Sequence, residues 1–358
     1  MSTRSVISRW SAVSPVGLTG SDLAAAVRTD GSPVGASRGD GSGMVPGFDA
    51  REVLGRKGTR SMDRQTALAV AAATQLLVDE DGERLAGVGP GSAVVLGTST
   101  ASAQSMMNFA RDIVTQDKPY DVDPAQFPNT VLNCAAARCA IWHELKGPNA
   151  TVSAGRASGL HALNYARRLH GSGRADVVLC GAVEELSVDR AWLEAGSGPL
   201  GEGCAMVLVE PAGRPEERGR TELAEILALE FGLARAPSDV GPALTRCVHR
   251  AMTAAGESPH QVWAVASSGD ADGGVAEAAA LTELFGDRAT IRLSSTDLVG
   301  DTNGAAAAFA VVAVLALAAG AGSVARRTAL VTAVDADGVV GCALLRLGST
   351  NGQEGQTT

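Results

Sequence analysis

Aromatic residues are scarce in this chain, at 3% of its 358 residues, whereas 45% are hydrophobic and 43 are glycines. With so few large rings, the core has to be built from tightly packed aliphatic layers. A chain of this length and apolar content can form one large domain or two smaller ones, each with an ample core.

An excess of positive charge is also missing. The formal net charge is -9, and lysine occurs only at positions 57, 118 and 146. Polyanions are bound by clustered basic side chains, so this acidic balance argues against a nucleic-acid or anionic-membrane surface. The preference for arginine over lysine indicates a GC-rich bacterial genome and carries no information on mechanism.

Signals for export, metal binding and membrane insertion are absent too. The six cysteines show no C-x-x-C spacing, which predicts reduced thiols, a cytoplasmic location and no metal site. Arg4 and Arg9 are followed by no apolar core of signal-peptide length. The longest apolar run, Gly304 to Gly320, would span about 25 Å as a helix, short of the roughly 30 Å hydrocarbon core. It is therefore predicted to be a buried central helix.

The chain repeats itself in outline. G-C-A-M-V-L-V-E, from Gly203, returns as G-C-A-L-L-R-L-G, from Gly341, and each string follows an apolar, strand-like run. Upstream of each lies an Ala-rich helical run and, before that, another strand. The order strand, helix, strand, strand therefore occurs twice, which predicts two βα-rich sheets packed around shared buried helices.

This repeat predicts two structural halves, residues 1–211 and 220–349. The segment 211–221, which contains two prolines and three arginines, is expected to link them. Residues 350–358 are polar and are predicted to form a disordered tail.

The stretch T-V-S-A-G-R-A-S-G-L-H-A-L, from Thr151 to Leu163, carries the strongest chemical signal. Its β-branched pair, small-residue turn and helical run predict a buried strand that enters a helix through a sharp turn. Such a turn brings backbone amides to a substrate carbonyl, and the helix N-terminus stabilises a thiolate or an oxyanion. Arg156 occupies the turn, but its guanidinium stays protonated and has no attacking lone pair. The stretch thus indicates an enzyme scaffold without its nucleophile.

Short motifs run along nearly the whole chain. They are S-P-V-G at Ser14, M-D-R-Q-T-A-L-A at Met62, F-P-N-T-V-L-N at Phe127, L-K-G-P-N-A-T-V at Leu145, A-S-G-L-H-A-L at Ala157, G-E-G-C-A at Gly201 and G-A-A-A-A at Gly304. Together they resemble the thiolase-fold β-ketoacyl synthases, in particular their chain-length-factor relatives. The resemblance implies an α/β thiolase fold, in which duplicated βα halves form five layers, α-β-α-β-α.

The family's catalysis, as the resemblance implies, needs a cysteine at the turn and two histidines that position and decarboxylate a malonyl extender. Here Arg156 takes the place of the cysteine, Ser268 that of the first histidine and Asp301 that of the second. None of the five histidines falls in either motif. Serine cannot replace an imidazole near neutral pH, and a carboxylate would oppose a developing enolate. These degenerate positions predict a subunit that does not condense substrates.

Arg156 and Asp301 are predicted to pair across the former cavity. Asp301 is also expected to cap the helix that opens at Gly304. In the alternative interpretation, Arg156 extends toward solvent or pairs elsewhere.

The resemblance also implies how the chain meets a partner. Family members join through the strand before the turn, which gives as dimer-interface candidates Asn149, Ala150, Thr151, Val152 and Ser153. Side chains of the segment 101–140 would close the far end of the partner's acyl tunnel. The candidates for this gate are Met106, Met107, Phe109, Val131 and Leu132. Ordinary core or dimer packing is the alternative for each of them.

We therefore expect a catalytically inactive chain length factor that forms a heterodimer with an active ketosynthase and sets polyketide chain length in a type II polyketide synthase. Substrates would arrive on an acyl carrier protein that docks through the partner, and no organic cofactor or metal is implied. Two alternatives stay open. One is an autonomous acyltransferase or decarboxylase that uses Ser158 or Arg156 unusually, and the other is a non-catalytic homodimeric acyl-binding scaffold.

Overall fold

The computed structural model describes residues 4–28, 43–79, 81–194, 198–269, 274–286, 290–321, 324 and 326–348. The strands in these residues are β1 (Ser5–Val13), β2 (Ala93–Gly97), β3 (Asn149–Val152), β4 (Val178–Glu184), β5 (Gly203–Pro211), β6 (Ala224–Leu233), β7 (Val262–Ser267), β8 (Ile291–Ser294), β9 (Thr328–Val334) and β10 (Val339–Leu347). The helices are α1 (Gly20–Arg28), α2 (Ala50–Leu54), α3 (Arg64–Leu77), α4 (Ala103–Thr115), α5 (Cys134–Trp142), α6 (Ser158–Gly171), α7 (Val188–Leu193), α8 (Arg214–Glu217), α9 (Val240–Ala255), α10 (Gly274–Phe285), α11 (Ser295–Val299) and α12 (Ala306–Gly320).

The ten strands form two runs with the same order. The first run is β3-β2-β4-β5-β1, and the second, read from the other end of the sheet, is β8-β7-β9-β10-β6. In each run the first three strands are parallel and the last two are antiparallel to their neighbours. The runs join where Val6 and Ile7 of β1 pair with Glu225 and Ala224 of β6. The predicted repeat is therefore present, with β5 and β10 as its matching strings.

Two buried helices, α6 and α12, lie between the two halves of the sheet. Twelve of the fifteen residues of α12 are buried, as expected for a helix that is apolar on every side. Small residues let the helices come close, because a side chain at Gly159 would place its Cβ 2.6 Å from the backbone nitrogen of Ala308. Glycine and alanine permit this close approach, whereas aromatic side chains would not fit between the two helices. Residues Asn303–Gly320 have the length and apolar character of a membrane span, and 78% of that window is buried inside the protein.

The outer layers complete the architecture. Helices α3 and α5 pack against the first half of the sheet, and α9 and α10 pack against the second half. The order across the molecule is therefore helix, sheet, helix, sheet, helix. This is the predicted five-layer thiolase fold, and the fold prediction is confirmed.

The segment predicted as a linker is an ordered connection. It contains α8, and its Arg218 and Arg220 lie 2.6 and 2.7 Å from the fully buried carboxylate of Glu210. A buried carboxylate needs paired cations, so these two arginines fix the segment to the end of β5. The boundaries at 211 and 220 remain a prediction that the matching strand order supports, and the predicted tail at 350–358 lies outside the described residues.

Candidate functional site

The predicted strand, turn and helix are present as β3, residues 153–157 and α6. Gly155 has a φ of +53°, a left-handed conformation that glycine adopts without strain. The amides of Ala157 and Ser158 then donate to the carbonyls of Ala154 and Gly155, at 3.2 and 3.0 Å. The turn is tight because each of these bonds closes over three residues.

Arg156 extends from this turn into the interior, where it is 5% exposed. Its Nη2 forms an ion pair with Oδ2 of Asp301, which is 3% exposed, and its Nη1 donates to the carbonyl of Gly269 at 3.0 Å. The predicted pairing of Arg156 with Asp301 is confirmed, and the alternative of an arginine directed to solvent is wrong. Burial requires this arrangement, since a charge removed from water is tolerated only when it is paired and hydrogen-bonded.

Asp301 is held by its backbone as well as by its side chain. Its N–H donates to the carbonyl of Pro199 at 2.9 Å, and its own carbonyl accepts from Gly201 at 2.8 Å. The carboxylate Oδ1 accepts from the N–H of Asn303 at 2.8 Å. The expectation that Asp301 caps a helix opening at Gly304 needs correction. The carboxylate binds the first amide of a short 3-10 turn, residues 303–305, and α12 begins only at Ala306.

Ser268 is fully buried beside the pair, but its hydroxyl has other partners. Its Oγ donates to Glu277 Oε2 at 3.2 Å and accepts from the N–H of Val334 at 3.1 Å. Burial raises the pKa of the Glu277 carboxyl above its usual range. The next residue, Gly269, supplies the carbonyl that Arg156 binds. The structure thus brings Arg156 and Asp301 into direct contact. Ser268 directly precedes Gly269, whose carbonyl Arg156 binds, while its own hydroxyl is bonded to Glu277 and Val334.

Arg190, on α7, is part of the same network and was not anticipated. It is fully buried, and its Nη1 donates to the carbonyls of Glu185 and Gly201, both at 2.8 Å. Its Nη2 reaches the carbonyl of Asp301 at 3.0 Å and the carboxylate of Glu194 at 3.1 Å. An arginine within a short polar segment gives no sequence signal of such burial.

Two buried acids lie at the end of β4: Glu184 is its last residue and Glu185 follows it. Glu184 accepts hydrogen bonds from the hydroxyls of Ser99 and Thr98, at 2.7 and 3.1 Å, and burial raises its pKa. Glu185 accepts from the N–H of Gln104 and the hydroxyl of Ser102, both at 3.0 Å. Burial raises the pKa of Glu185 to about 7. These neutral donors hold the acids in place, and among the described residues no cation is directly bonded to either carboxylate.

Ser158 is the one hydroxyl at the turn that was considered as a substitute nucleophile. It is fully buried, its Oγ donates to the carbonyl of Gly155 at 2.6 Å, and it accepts from the N–H of Ala154 at 2.9 Å. Activation of a serine needs a base within hydrogen-bond reach, and in the described part of the chain the hydroxyl is bonded only to backbone groups of its own turn. The arrangement favours a structural role for Ser158.

The interface candidates lie along one edge of the sheet. Within the described residues, β3 pairs with β2 on one side and has no strand on the other. Asn149 and Ser153 are exposed, and the three residues between them are half-buried. The assignment of these five residues to a dimer interface stays a prediction.

The gate candidates lie on the surface of the chain. Met106, Val131 and Leu132 are 44%, 39% and 45% exposed, and Met107 and Phe109 on α4 are half-buried. The ring of Phe109 packs against Phe127 with 5.7 Å between centroids. Exposure of this extent does not fit ordinary core packing for the first three residues.

Two protein-family models match most of the chain. The family model of the β-ketoacyl synthase N-terminal domain matches residues 43–199, and that of the β-ketoacyl synthase C-terminal domain matches residues 229–324. The chain therefore belongs to the β-ketoacyl synthase family.

Individual known proteins are similar to this chain to different degrees. A solved structure of the ishigamide ketosynthase/chain length factor is 42% identical, with a TM-score of 0.87, over 97% of this chain and 100% of that one. A 3-oxoacyl-[acyl-carrier-protein] synthase 2 from Vibrio cholerae is 26% identical over 316 residues, 77% of this chain and 75% of the relative. A type II polyketide synthase ketosynthase, solved with its acyl carrier protein, is 19% identical with a TM-score of 0.74, over 97% of this chain and 100% of that one. This last likeness shows the fold alone.

Proposed function

We propose that this chain is a catalytically inactive chain length factor, the subunit that pairs with an active ketosynthase in a type II polyketide synthase. The observation that carries the proposal is Arg156. It stands at the nucleophile position of a ketosynthase fold, buried and paired with Asp301. A guanidinium in this position can neither attack a thioester nor hold an acyl chain.

The other residues of the site support the same conclusion. Decarboxylation of a malonyl extender needs neutral imidazoles that stabilise the enolate. In their places are the carboxylate of Asp301, which is engaged with Arg156, and the hydroxyl of Ser268, which is engaged with Glu277. We infer that the former cavity has become a structural ion-pair network.

The exposed surface next to β3 supports the proposal that this chain binds a partner protein. An edge strand with a free row of backbone groups pairs readily with another strand, and large exposed apolar patches indicate interaction sites. Helix α4 packs on the turn 127–130, that turn on α5, and α5 on β3. Exposed apolar side chains accompany this path, among them Met106, Phe127, Val131, Leu132 and Ile141. We propose that an active ketosynthase covers this surface and receives substrates from an acyl carrier protein.

We further propose that side chains of this surface limit the length of the partner's product. Phe109→Ala shortens the side chain that would close the acyl tunnel, so the reconstituted complex is expected to make a longer product, measured by mass spectrometry. Met106, Met107, Val131 and Leu132 are tested in the same way. Val114→Ala, an exposed position on the same helix, is the matched control. Unchanged product length for all five candidates would contradict the gate.

The proposal is tested by native mass measurement of this chain, alone and after co-expression with a ketosynthase encoded beside it. The expected result is a stable one-to-one complex. A homodimer that ignores the synthase would favour the scaffold alternative. Condensation or decarboxylation by this chain alone would favour an autonomous enzyme.

A further inference from the structure

Three backbone amides at the turn, those of Arg156, Ala157 and Ser158, are engaged in hydrogen bonds. The N–H of Arg156 donates to Oδ2 of Asp335 at 2.8 Å. The next two amides, those of Ala157 and Ser158, donate to carbonyls of the turn itself. In acyl transfer, amides at such a turn bind the negative oxygen of the tetrahedral intermediate. Here the amide of Arg156 is bound to a carboxylate.

Asp335 is fixed for this contact by the hairpin turn between β9 and β10. Its N–H donates to the carbonyl of Val339 at 2.9 Å, and its Oδ1 accepts from the N–H of Asp337 at 3.0 Å. One carboxylate oxygen therefore orders the hairpin turn, and the other reaches Arg156. A side chain at Gly155 would place its Cβ 1.9 Å from Asp335 Oδ2, so the turn is shaped around this carboxylate.

We propose that Asp335 is a second block on acyl transfer, separate from the side chain of Arg156, because its carboxylate occupies the oxyanion position of the turn. The inference deepens the proposed function and rests on it. A carboxylate there uses the amide that an oxyanion would need, and it repels a second negative oxygen. The charge-assisted hydrogen bond lies at the N-terminal end of α6, which favours an anion. A neutral thioester carbonyl is a weaker competitor for that amide.

It follows that a cysteine introduced at position 156 is not sufficient for acylation. The reaction tested is transfer from an acetyl thioester of N-acetylcysteamine. The introduced thiolate attacks the carbonyl carbon and forms a new carbon–sulfur bond, the carbon–sulfur bond to N-acetylcysteamine breaks, and the leaving thiolate takes a proton from water. Iodoacetamide alkylation of the same thiol is measured in parallel. Alkylation forms no oxyanion, so it reports thiolate population and access alone.

All variants carry Arg156→Cys together with Asp301→Asn, which avoids leaving a buried carboxylate without its arginine. Asp335→Ala is then compared with the unchanged Asp335, using intact mass as the readout. Asp337→Ala is the matched control, because it removes an exposed carboxylate from the same hairpin turn. The six native cysteines are all buried. If the chain needs its partner to fold, the complex is used, since intact mass separates the two subunits.

Asp335→Ala is expected to raise the ratio of acylation rate to alkylation rate by about tenfold or more, because one oxyanion donor contributes roughly 10²–10³ in rate. Asp335→Asn keeps the hydrogen bond from Asp337 and removes the repulsion, so a smaller rise is expected, which keeps the test valid if the alanine variant unfolds. An unchanged ratio in both variants, or an equal rise with Asp337→Ala, overturns the proposal. If the proposed function is wrong, native mass measurement of the unaltered chain will show no one-to-one complex with the ketosynthase. The ratio of acylation rate to alkylation rate is measured on different variants and does not depend on that result.

Discussion

Arg156 and Asp301 form a buried ion pair that is costly to break. Asp301→Asn keeps the shape of the side chain and the hydrogen bond from Asn303 but removes the carboxylate charge that pairs with the guanidinium. We expect the free energy of unfolding to fall by about 3 kcal/mol, because removing one partner of a buried ion pair is strongly destabilising. Urea unfolding with an unchanged m-value measures this loss.

The double variant Arg156→Met with Asp301→Asn removes both charges and should recover much of that stability, since an apolar replacement of a buried pair is often neutral. Glu217→Gln is the control, because Arg214 and Glu217 form an ion pair whose side chains are 50% and 61% exposed. Its effect should stay within about 1 kcal/mol. Equal losses of unfolding free energy in Asp301→Asn and Glu217→Gln would contradict the prediction, because burial would then not increase the stabilisation by the Arg156–Asp301 pair.

At the scale of single residues, the sequence predicted a contact between two residues that lie in recognisable motifs. It missed contacts of residues outside those motifs, which come together only when the chain folds. Arg156 and Asp301 were predicted to pair because each occupies a recognisable position in a motif. Asp335 was not found, because it lies 179 residues from Arg156 in the chain and outside those motifs. Arg190 was also missed, since its partners are mostly backbone carbonyls, which no residue pattern encodes.

Among the elements, β3 offers the clearest test of the interface. The carbonyls of Pro148 and Val152 accept hydrogen bonds from the amides of Val94, in β2, and of Thr98, which directly follows β2. Backbone groups alternate in direction along a strand, so the N–H of Thr151 faces the free edge. Thr151→Pro removes that donor without removing a hydrogen bond to any described residue, and proline is tolerated on edge strands. We expect co-expression to yield no stable complex with the ketosynthase.

Thr151→Val is the matched variant, because it keeps the N–H and nearly the same volume. The buried Thr151 hydroxyl has no hydrogen-bond partner within the described part of the chain, so its loss should cost little. Native mass should show an intact complex for valine and a separated subunit for proline, with similar circular dichroism for both. An intact complex with Thr151→Pro would exclude pairing through this strand.

Element order was predictable, whereas the connections were not. The repeated strings and the wholly apolar α12 identified β5, β10 and the central helix, because hydrophobic pattern decides which elements are buried. The segment 211–221 was predicted as a linker from its prolines, yet it holds α8 and binds Glu210 through two arginines. Those contacts depend on where β5 ends, which composition does not show.

Across the whole molecule, the site lies where the two halves meet. The turn before α6 belongs to the first half. Its partners Gly269, Asp301 and Asp335 belong to the second. In the family, as the resemblance implies, such a meeting point is where catalytic groups assemble. Here the same position holds charges that bind each other and tie the two halves together.

The stability of the whole chain should depend on pH through Glu185. Burial raises the pKa of this carboxyl from 4.5 to about 7, so between these values the folded chain holds a proton that the unfolded chain has lost. Stability from this group is therefore present at low pH and falls as pH rises through that window. The loss is complete above about pH 7 and amounts to about 3 kcal/mol at most.

Glu185→Gln cannot titrate, so the quantity to measure is the unfolding free energy of the native chain minus that of the variant, from pH 4.5 to 8.5. Subtraction removes the opposite contribution of His143, whose pKa is lowered by burial to about 4 and which makes stability rise with pH in both proteins. The difference should fall between pH 4.5 and 7 and then become level. A constant offset is expected from the changed hydrogen bonds to Gln104 and Ser102. A difference that is level throughout would mean that Glu185 titrates alike in the folded and unfolded chains.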